Sequence, residues 1–232
     1  MIVVILAGGK GTRISEYTAA IPKPMIKIGN HPIIRHLIEY YKSYGFKKFL
    51  VASGYKSKVL EDYFYSKPNL DVKVINTGKE TLTGLRIKKL QKFINNQSFF
   101  LTYGDGLSNV NLKKLLDQHK RKKKILTLTA VHPPARFGEI EIKGGLVSKF
   151  EEKPQLQKGW INGGFFVCDP KIFNFIDKKN VMFERDPITK LVKNKQLAVF
   201  QHEGFWFCMD TLRDKRVLDN LYKTRRAPWI KK

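Results

Sequence analysis

Short apolar runs alternate along the chain with segments in which apolar residues recur every three or four positions. The runs, of which Ile2–Leu6 is the first, have the length of strands buried on both faces of a sheet. The periodic segments predict amphipathic helices, as in Ile33–Tyr44, which ends at Gly45. Strands that alternate with helices in this way favour βαβ units and a mainly parallel sheet.

The predicted elements extend over the whole chain. Strands are predicted at Ile2–Leu6, Lys48–Ser53, Val72–Ile75, Ser98–Tyr103, Ile125–Val131, Ile161–Cys168 and Leu197–Gln201. Helices are predicted at Ile33–Tyr44, Lys58–Tyr65, Leu85–Ile94, Leu112–Arg121, Lys171–Ile176, Pro187–Lys193 and Leu212–Lys223. Gly138–Ile142 and Leu146–Glu151 predict a hairpin around Gly144 and Gly145. We therefore expect an α/β, Rossmann-like fold with a mixed, mainly parallel sheet, flanking helices and a small β-rich subregion.

A glycine-rich loop follows the first predicted strand, and a lysine between two prolines follows the loop. The loop, Leu6–Arg13, reads LAGGKGTR, and Lys23 lies in the segment IPKPM. Glycines let bare backbone N–H groups close around an anion, so the loop predicts a phosphate site for which Arg13 and Lys23 supply cations. The two prolines keep Lys23 out of a helix interior, on a stiff extended segment. The spacing matches neither the Walker nor the dinucleotide pattern, and a plain strand-to-helix turn is the alternative.

Two aspartates stand where a divalent cation could be held. Asp105 lies between two glycines after the fourth predicted strand, and Asp210 follows an aromatic run just before the last helix. One or two carboxylates together with phosphates and water typically hold Mg²⁺, so the pair predicts a magnesium site. The alternatives are a plain Gly-Asp-Gly turn for Asp105 and a helix N-cap for Asp210.

A second group of polar residues suits a sugar. Glu152 and Lys153 precede a proline, and Asn162 and Gly163 lie in the aromatic segment Trp160–Phe166. Sugar hydroxyls need directional hydrogen bonds, and sugar ring faces pack on apolar surface, which this mixture offers. A type I′ turn at Asn162 and Gly163 is the alternative.

Composition and charge limit the classes of protein. The 232 residues are 42% hydrophobic, and no run reaches the about 18–20 apolar residues of a membrane span. The first residues lack a secretory signal, and two cysteines make no disulfide framework, so we expect a cytoplasmic protein without membrane association. The net charge of +24 favours either a polyanionic partner or anionic substrates. The basic run 120–124 comes at a predicted helix end and carries no nucleic-acid-binding signature, so we expect no nucleic-acid partner.

Motifs along nearly the whole chain resemble those of the sugar-1-phosphate nucleotidyltransferases, and most those of the cytidylyl branch. In the first half these are Leu6–Arg13, Pro22–Met25, Gly54–Lys56, Thr83–Arg86 and Tyr103–Gly106. In the second half they are Pro133–Gly138, Glu152–Pro154, Ile161–Phe166, Met209–Lys215 and Ala227–Trp229. Two positions depart from the family: Leu85 stands where a glycine is usual, and only residues 65–70 replace a longer excursion.

The resemblance implies transfer of a cytidylyl group from CTP to a sugar 1-phosphate, with glucose 1-phosphate as the first candidate. It implies that Arg13 and Lys23 are catalytic and that Asp105 and Asp210 hold Mg²⁺. It implies a nucleotide-binding set of Leu6, Ala7, Gly8, Gly9, Gly11, Thr12, Arg13, Lys23, Thr83, Gly84, Gly104 and Asp105. It implies a sugar-phosphate-binding set of Tyr103, Glu152, Lys153, Asn162 and Gly163.

The whole chain, 1–232, is then one domain, with a nucleotide-binding half at about 1–131 and a sugar-phosphate-binding half at about 132–232. A homo-oligomer is expected, and the product belongs to nucleotide-sugar and surface-polysaccharide biosynthesis. The alternatives are the same chemistry with dTTP, UTP or another phosphorylated acceptor, a non-catalytic sensor of sugar nucleotides, and a nucleic-acid binder that relies on charge.

Overall fold

The computed structural model describes residues 1–134, 138–151 and 159–231. Its strands are β1 (Ile2–Ala7), β2 (Lys27–Ile28), β3 (His31–Pro32), β4 (Lys48–Ser53), β5 (Val72–Asn76), β6 (Phe99–Tyr103), β7 (Gly106–Ser108), β8 (Leu126–Val131), β9 (Glu139–Lys143), β10 (Leu146–Glu151), β11 (Ile161–Cys168), β12 (Leu197–His202) and β13 (Trp206–Cys208). Its helices are α1 (Ser15–Thr18), α2 (Ile33–Lys42), α3 (Ser57–Tyr65), α4 (Thr83–Lys89), α5 (Leu112–Lys122), α6 (Asp186–Lys193) and α7 (Leu212–Lys223).

Seven strands form the central sheet, in the order β12-β8-β11-β6-β1-β4-β5. Only β11 runs antiparallel to its neighbours, β6 and β8, and the remaining pairs are parallel. The prediction of a mixed, mainly parallel sheet is therefore confirmed. Small antiparallel pairs lie outside the sheet, among them the predicted hairpin β9–β10.

Two hydrophobic cores lie on the two faces of this sheet. Along β1, Val3 and Ile5 belong to one core, while Val4 and Leu6 belong to the other. Buried side chains of α2, α3, α5 and α7 contribute to the first core, and those of α4 and α6 to the second. Burial on both faces explains why β1 is a continuous apolar run rather than an alternating one.

The structure corrects several predicted elements. The helix predicted at 85–94 is α4 followed by a short 3₁₀ turn, and the one predicted at 171–176 is only a 3₁₀ turn, Pro170–Asn174. The sequence analysis missed β7 and β13, because three-residue strands are too short to show a period. In the described ranges, none of the helices combines the length and the apolar character that a bilayer crossing needs.

Candidate active site

The loops after β1, β4 and β6 meet at the carboxyl edge of the sheet, where ligands bind in open α/β sheets. The N–H of Gly104 donates to the carbonyl of Leu6 at 2.9 Å, and the N–H of Tyr55 donates to that of Gly8 at 3.2 Å. A cleft of about 250 Å³ opens there. Its lining consists of Leu6, Ala7, Gly9, Gly11, Thr12, Arg13, Lys23, Pro24, Gly104 and Asp105. The structure thus brings nine residues of the predicted nucleotide-binding set to one cleft.

Short strand pairing brings the two predicted metal-binding aspartates together. Gly106 in β7 pairs with Cys208 in β13, and the N–H of Met209 donates to the carbonyl of Asp105 at 2.9 Å. Asp210 is the next residue along the chain. Two carboxylates that lie more than a hundred positions apart in sequence therefore meet through a strand pair that the sequence did not predict.

Asp210 is not a helix cap. Thr211 is the N-cap of α7 and forms a capping box with Asp214, whose carboxylate also accepts a hydrogen bond from the N–H of Asp210 at 3.0 Å. The N-cap alternative for Asp210 is therefore wrong, because its neighbour already caps the helix. Its carboxylate contacts the cleft cations instead.

Lys23 lies between the two carboxylates. Its Nζ is 2.6 Å from Oδ2 of Asp105 and 2.6 Å from Oδ1 of Asp210. A guanidinium nitrogen of Arg13 is 2.8 Å from Oδ2 of Asp210. All four charged residues singled out from the sequence thus surround one point.

The two cations differ in how firmly they are held. The side chain of Lys23 is 10% exposed, whereas that of Arg13 is 70% exposed. Burial alone lowers the pKa of a lysine, but the charge of Asp105 and the hydrogen bonds to Asp105 and Asp210 outweigh it and raise the pKa of Lys23. Lys23 is therefore a fixed cation at neutral pH, while the exposed guanidinium of Arg13 is accessible to a ligand.

The backbone at Lys23 differs from the prediction. Pro22 is extended, but Lys23 begins a 3₁₀ turn, Lys23–Met25, whose second residue is Pro24. The expectation of an extended segment is wrong, because proline is well tolerated in the first turn of a helix. The turn still fixes the lysine, since the N–H of Met25 donates to the carbonyl of Pro22 at 2.8 Å.

The donor set fits a divalent cation. One ligand atom each from Asp105, Cys208 and Asp210 lie within 4.8 Å of one another. The ammonium of Lys23 lies between the two carboxylates, which shows that their oxygens converge on a position suited to a cation. Carboxylate oxygens are the ligands that hard divalent cations take, whereas the pKa of the Cys208 thiol is raised by burial.

The glycine loop contacts a buried arginine that received no role in the sequence analysis. Arg86 is 3% exposed and donates to the carbonyl of Gly8 at 3.3 Å. A Cβ on Gly8 would lie 1.9 Å from a guanidinium nitrogen, so any larger residue would have to displace the Arg86 side chain. The other acceptors of Arg86 are the carbonyls of Ser53, Gly78 and Thr81 and the hydroxyl of Thr77.

None of the carboxylates among the described residues forms an ion pair with Arg86, and burial lowers its pKa. An uncompensated cation thus lies directly behind the Gly8 backbone. Its field favours an anion on the other side of the loop. The sequence signal was present in the segment Thr83–Arg86, but burial of the arginine could not be read from it.

Gly11 adopts the left-handed conformation that the loop needs. Its φ is 65° as it begins the 3₁₀ turn Thr12–Ile14, and a Cβ there would lie 3.0 Å from the Cβ of Lys23. The loop and the 3₁₀ turn that carries Lys23 therefore pack closely, which a larger residue would prevent.

Among the described residues, those predicted to bind the sugar phosphate are joined by hydrogen bonds without a cation. The hydroxyl of Tyr103 donates to Oε1 of Glu184 at 2.6 Å, and the hydroxyl of Thr83 donates to Oε2 at 2.6 Å. The amide of Asn162 contacts the Tyr103 hydroxyl at 3.4 Å. Burial, with Glu184 nearby, raises the pKa of Tyr103 and keeps it a donor. The sequence analysis missed Glu184, which lies in a segment that carries no motif.

Asn162 and Gly163 lie within β11 rather than in a turn, so the turn alternative is wrong. The strand register shifts between Asn162 and Phe166, and the N–H of Gly164 donates to the Asn162 side chain at 2.9 Å. The indole of Trp206 donates to the carbonyl of Gly163 at 2.7 Å. The irregular strand thus places the asparagine beside Tyr103.

The structure does not bring every predicted site residue to the cleft. Thr83 and Gly84 pack against the segment 180–184, where the N–H of Gly84 donates to the carbonyl of Val181 at 3.0 Å. Their nucleotide-binding role stays a prediction. Glu152 and Lys153 lie outside the described residues.

The comparison with known families decides the assignment. The model of the family described as "Nucleotidyl transferase" matches residues 2–213 of this chain. This chain belongs to the nucleotidyl transferase family. It is therefore a nucleotidyltransferase, and its family membership gives a nucleoside triphosphate and a sugar phosphate as the classes of substrate.

Proteins similar to this chain in sequence and in structure were found. The glucose-1-phosphate cytidylyltransferases of Salmonella typhimurium and Salmonella typhi are each 39% identical over 99% of this chain and 98% of their own length. An inositol-1-phosphate CTP transferase from T. maritima has a TM-score of 0.74 at 16% identity, covering 97% of this chain and 96% of that one. This structural similarity shows that the two chains share a fold.

Proposed function

We propose that this nucleotidyltransferase transfers a cytidylyl group from CTP to a sugar 1-phosphate, forming a CDP-sugar and pyrophosphate. We take α-D-glucose 1-phosphate as the acceptor and Mg²⁺ as the cation. The observation that carries the proposal is the meeting of Arg13, Lys23, Asp105 and Asp210 at one cleft beside the glycine loop. The 39% identity to glucose-1-phosphate cytidylyltransferases supports the choice of base and sugar.

The reaction joins two anions. An oxygen of the sugar phosphate attacks the α-phosphorus of CTP, and the bond from that phosphorus to the pyrophosphate breaks. The attacking oxygen is already ionised, so no strong general base is needed. Positioning and electrostatic stabilisation then supply most of the catalysis, as in phosphoryl transfer generally.

The glycine loop would bind the triphosphate through its backbone N–H groups. The uncompensated charge of Arg86 behind Gly8 adds to the attraction. Arg13, whose side chain is exposed, would hold the leaving phosphates, because its planar fork suits bidentate contacts. Lys23 would neutralise charge at the α-phosphate. Its ion pairs with Asp105 and Asp210 hold its ammonium beside the glycine loop.

Asp105 and Asp210 would hold the cation. A divalent ion bound there supplies charge neutralisation between the nucleotide and sugar phosphates. Lys23 bridges the two carboxylates and Asp214 fixes the backbone of Asp210, so contacts within the chain set their orientation.

Tyr103, Asn162 and Gly163 would bind the sugar, with Glu152 as a further candidate, and Lys153 would contact the sugar phosphate. Glu184 holds the hydroxyl of Tyr103, so it acts as a positioning residue. The division into a nucleotide-binding half and a sugar-phosphate-binding half, the homo-oligomeric state and the cytoplasmic location remain predictions.

A substrate panel tests the proposal. The four ribonucleoside triphosphates and dTTP are each combined with glucose 1-phosphate, mannose 1-phosphate and galactose 1-phosphate, and pyrophosphate release is measured with Mg²⁺. We expect CTP with glucose 1-phosphate to give the highest kcat/KM. Higher turnover with UTP or dTTP would instead support the alternative base, for which Leu85 in place of the usual glycine provides a reason.

A further inference from the structure

A second cavity lies away from the cleft, between α7 and the turn that joins β2 to β3. We call it the α7 cavity. Its volume of about 640 Å³ exceeds that of the cleft and lies in the range of small-molecule sites. Its charged lining residues are the cations Lys27, Lys215, Lys223 and Arg225 and one carboxylate, Asp219.

The one carboxylate is already satisfied. Oδ1 of Asp219 accepts a hydrogen bond from the N–H of Gly29 at 2.7 Å, and Oδ2 is paired with Lys215. Among the described residues, no carboxylate forms an ion pair with Lys27, Lys223 or Arg225. The lining therefore carries three cations without counter-charges.

These cations are not needed to cap α7. The last helix carbonyls accept backbone N–H groups instead: Asn220 from Thr224, Tyr222 from Arg225 and Leu221 from Arg226. Arg225 has a φ of 56°, the left-handed conformation that closes a helix end through these backbone hydrogen bonds. Satisfying the helix end therefore does not account for the cations around this cavity.

We propose that the α7 cavity binds a small molecule with two or three linked phosphate groups, either a free polyphosphate or the phosphate chain of a nucleotide. Linked phosphates match several cations spread around one concave surface, and Lys and Arg are the residues that bind them. Tyr222, Ala227 and Ile230 give the cavity an apolar wall beside the cations. The proposal does not depend on which base or sugar the cleft accepts.

The cavity is connected to the cleft through α7. The helix begins at Leu212, two residues after Asp210, and its fourth residue, Lys215, contributes to the cavity. Nζ of Lys215 also lies 5.5 Å from the ring centroid of Tyr17, four residues after Arg13. A ligand in the cavity that attracts Lys215 therefore acts on the first turn of α7, which directly follows Asp210.

Calorimetric titration of the full-length protein with inorganic tripolyphosphate, without divalent cations, tests the proposal. We expect two binding sites per chain in the wild type. The double variant Lys223→Ala/Arg225→Ala should weaken one of them by about tenfold or more, since charge-assisted contacts are lost. The variant Arg13→Ala/Lys23→Ala should instead lose the cleft site and keep the other.

The matched control is Arg216→Ala/Arg226→Ala, which removes the same charge from exposed positions on α7 and just after it that do not line the cavity. It should retain both sites. A single site in the wild type, or equal weakening in the control, would overturn the proposal and leave only bulk attraction to a basic protein. A repeat with CTP in the Arg13→Ala/Lys23→Ala background separates the two sources, since binding there supports a nucleotide and its absence a free polyphosphate.

Discussion

The proposed nucleotide side and the proposed sugar side of the cleft use different chemistry. On the nucleotide side, two cations pair with two carboxylates, and another cation lies buried behind the loop. On the sugar side, hydroxyl, amide and carboxylate groups are joined by neutral or singly charged hydrogen bonds around Tyr103. The first side offers charged groups to a ligand, and the second offers directional hydrogen bonds.

This difference in chemistry indicates which kinetic parameter should change when a side chain on each side is removed. Removing a charge on the nucleotide side should lower kcat, because these groups stabilise the charge that develops on the phosphates in the transition state. Removing a hydrogen-bonding group on the sugar side should mainly raise the KM for the acceptor, because its contacts bind and orient the sugar. The following variants test this contrast from the largest expected effect to the smallest.

Asp210→Ala should lower kcat about a thousandfold or more, as expected when a preorganised charged group is lost. The measurement is pyrophosphate release at saturating Mg²⁺. Asp210→Asn, which keeps the shape and removes the charge, should lose nearly as much. Near-normal turnover of either variant, with an unchanged circular dichroism spectrum, would remove Asp210 from the metal site.

Lys23→Ala should cost about 2–4 kcal/mol of transition-state stabilisation, measured as kcat/KM. Because the pKa of Lys23 is raised, the wild-type rate should not fall between pH 7 and 10 through loss of this charge. Lys48→Ala, which removes an exposed lysine at the start of β4, is the control and should leave the rate unchanged. A change below tenfold for Lys23→Ala would contradict its assigned role.

Asn162→Ala should raise the KM for the sugar 1-phosphate about tenfold, the usual effect of one lost hydrogen bond to a substrate, while the KM for CTP stays near that of the wild type. Initial rates at varied concentrations of each substrate separate the two. Glu184→Gln should show the same pattern with a smaller effect, since Glu184 acts through Tyr103. Equal increases in both KM values would show that the two sides are not separate.

Cys208 should react slowly with iodoacetamide at pH 7.5, because burial, with Asp105 nearby, raises the pKa of its thiol. Cys168, fully buried in β11, should not react in the folded protein. Mass spectrometry over time gives both rates. CTP with Mg²⁺ should slow the alkylation of Cys208 further, and no protection would indicate that it lies away from the bound ligands.

The sequence predicted the central sheet well, because burial on both faces gives continuous apolar runs such as β1. It also identified Arg13, Lys23, Asp105 and Asp210, since glycine and proline around charged residues are visible in the sequence. It missed what depends on long-range packing: the β7–β13 pair that joins the aspartates, and the contact of Glu184 with Tyr103. The sequence also could not predict that Arg86 is buried without a carboxylate partner, because its backbone acceptors come together only in the folded chain.

The most direct test of the central claim follows oxygen atoms. Glucose 1-phosphate labelled with ¹⁸O in its non-bridging phosphate oxygens is combined with CTP and Mg²⁺, and the products are examined by ³¹P NMR. If the sugar phosphate attacks the α-phosphorus, the released pyrophosphate carries no label and both phosphorus atoms of the CDP-sugar share a labelled bridging oxygen. Labelled pyrophosphate, or a product whose bridge is unlabelled, would contradict the account.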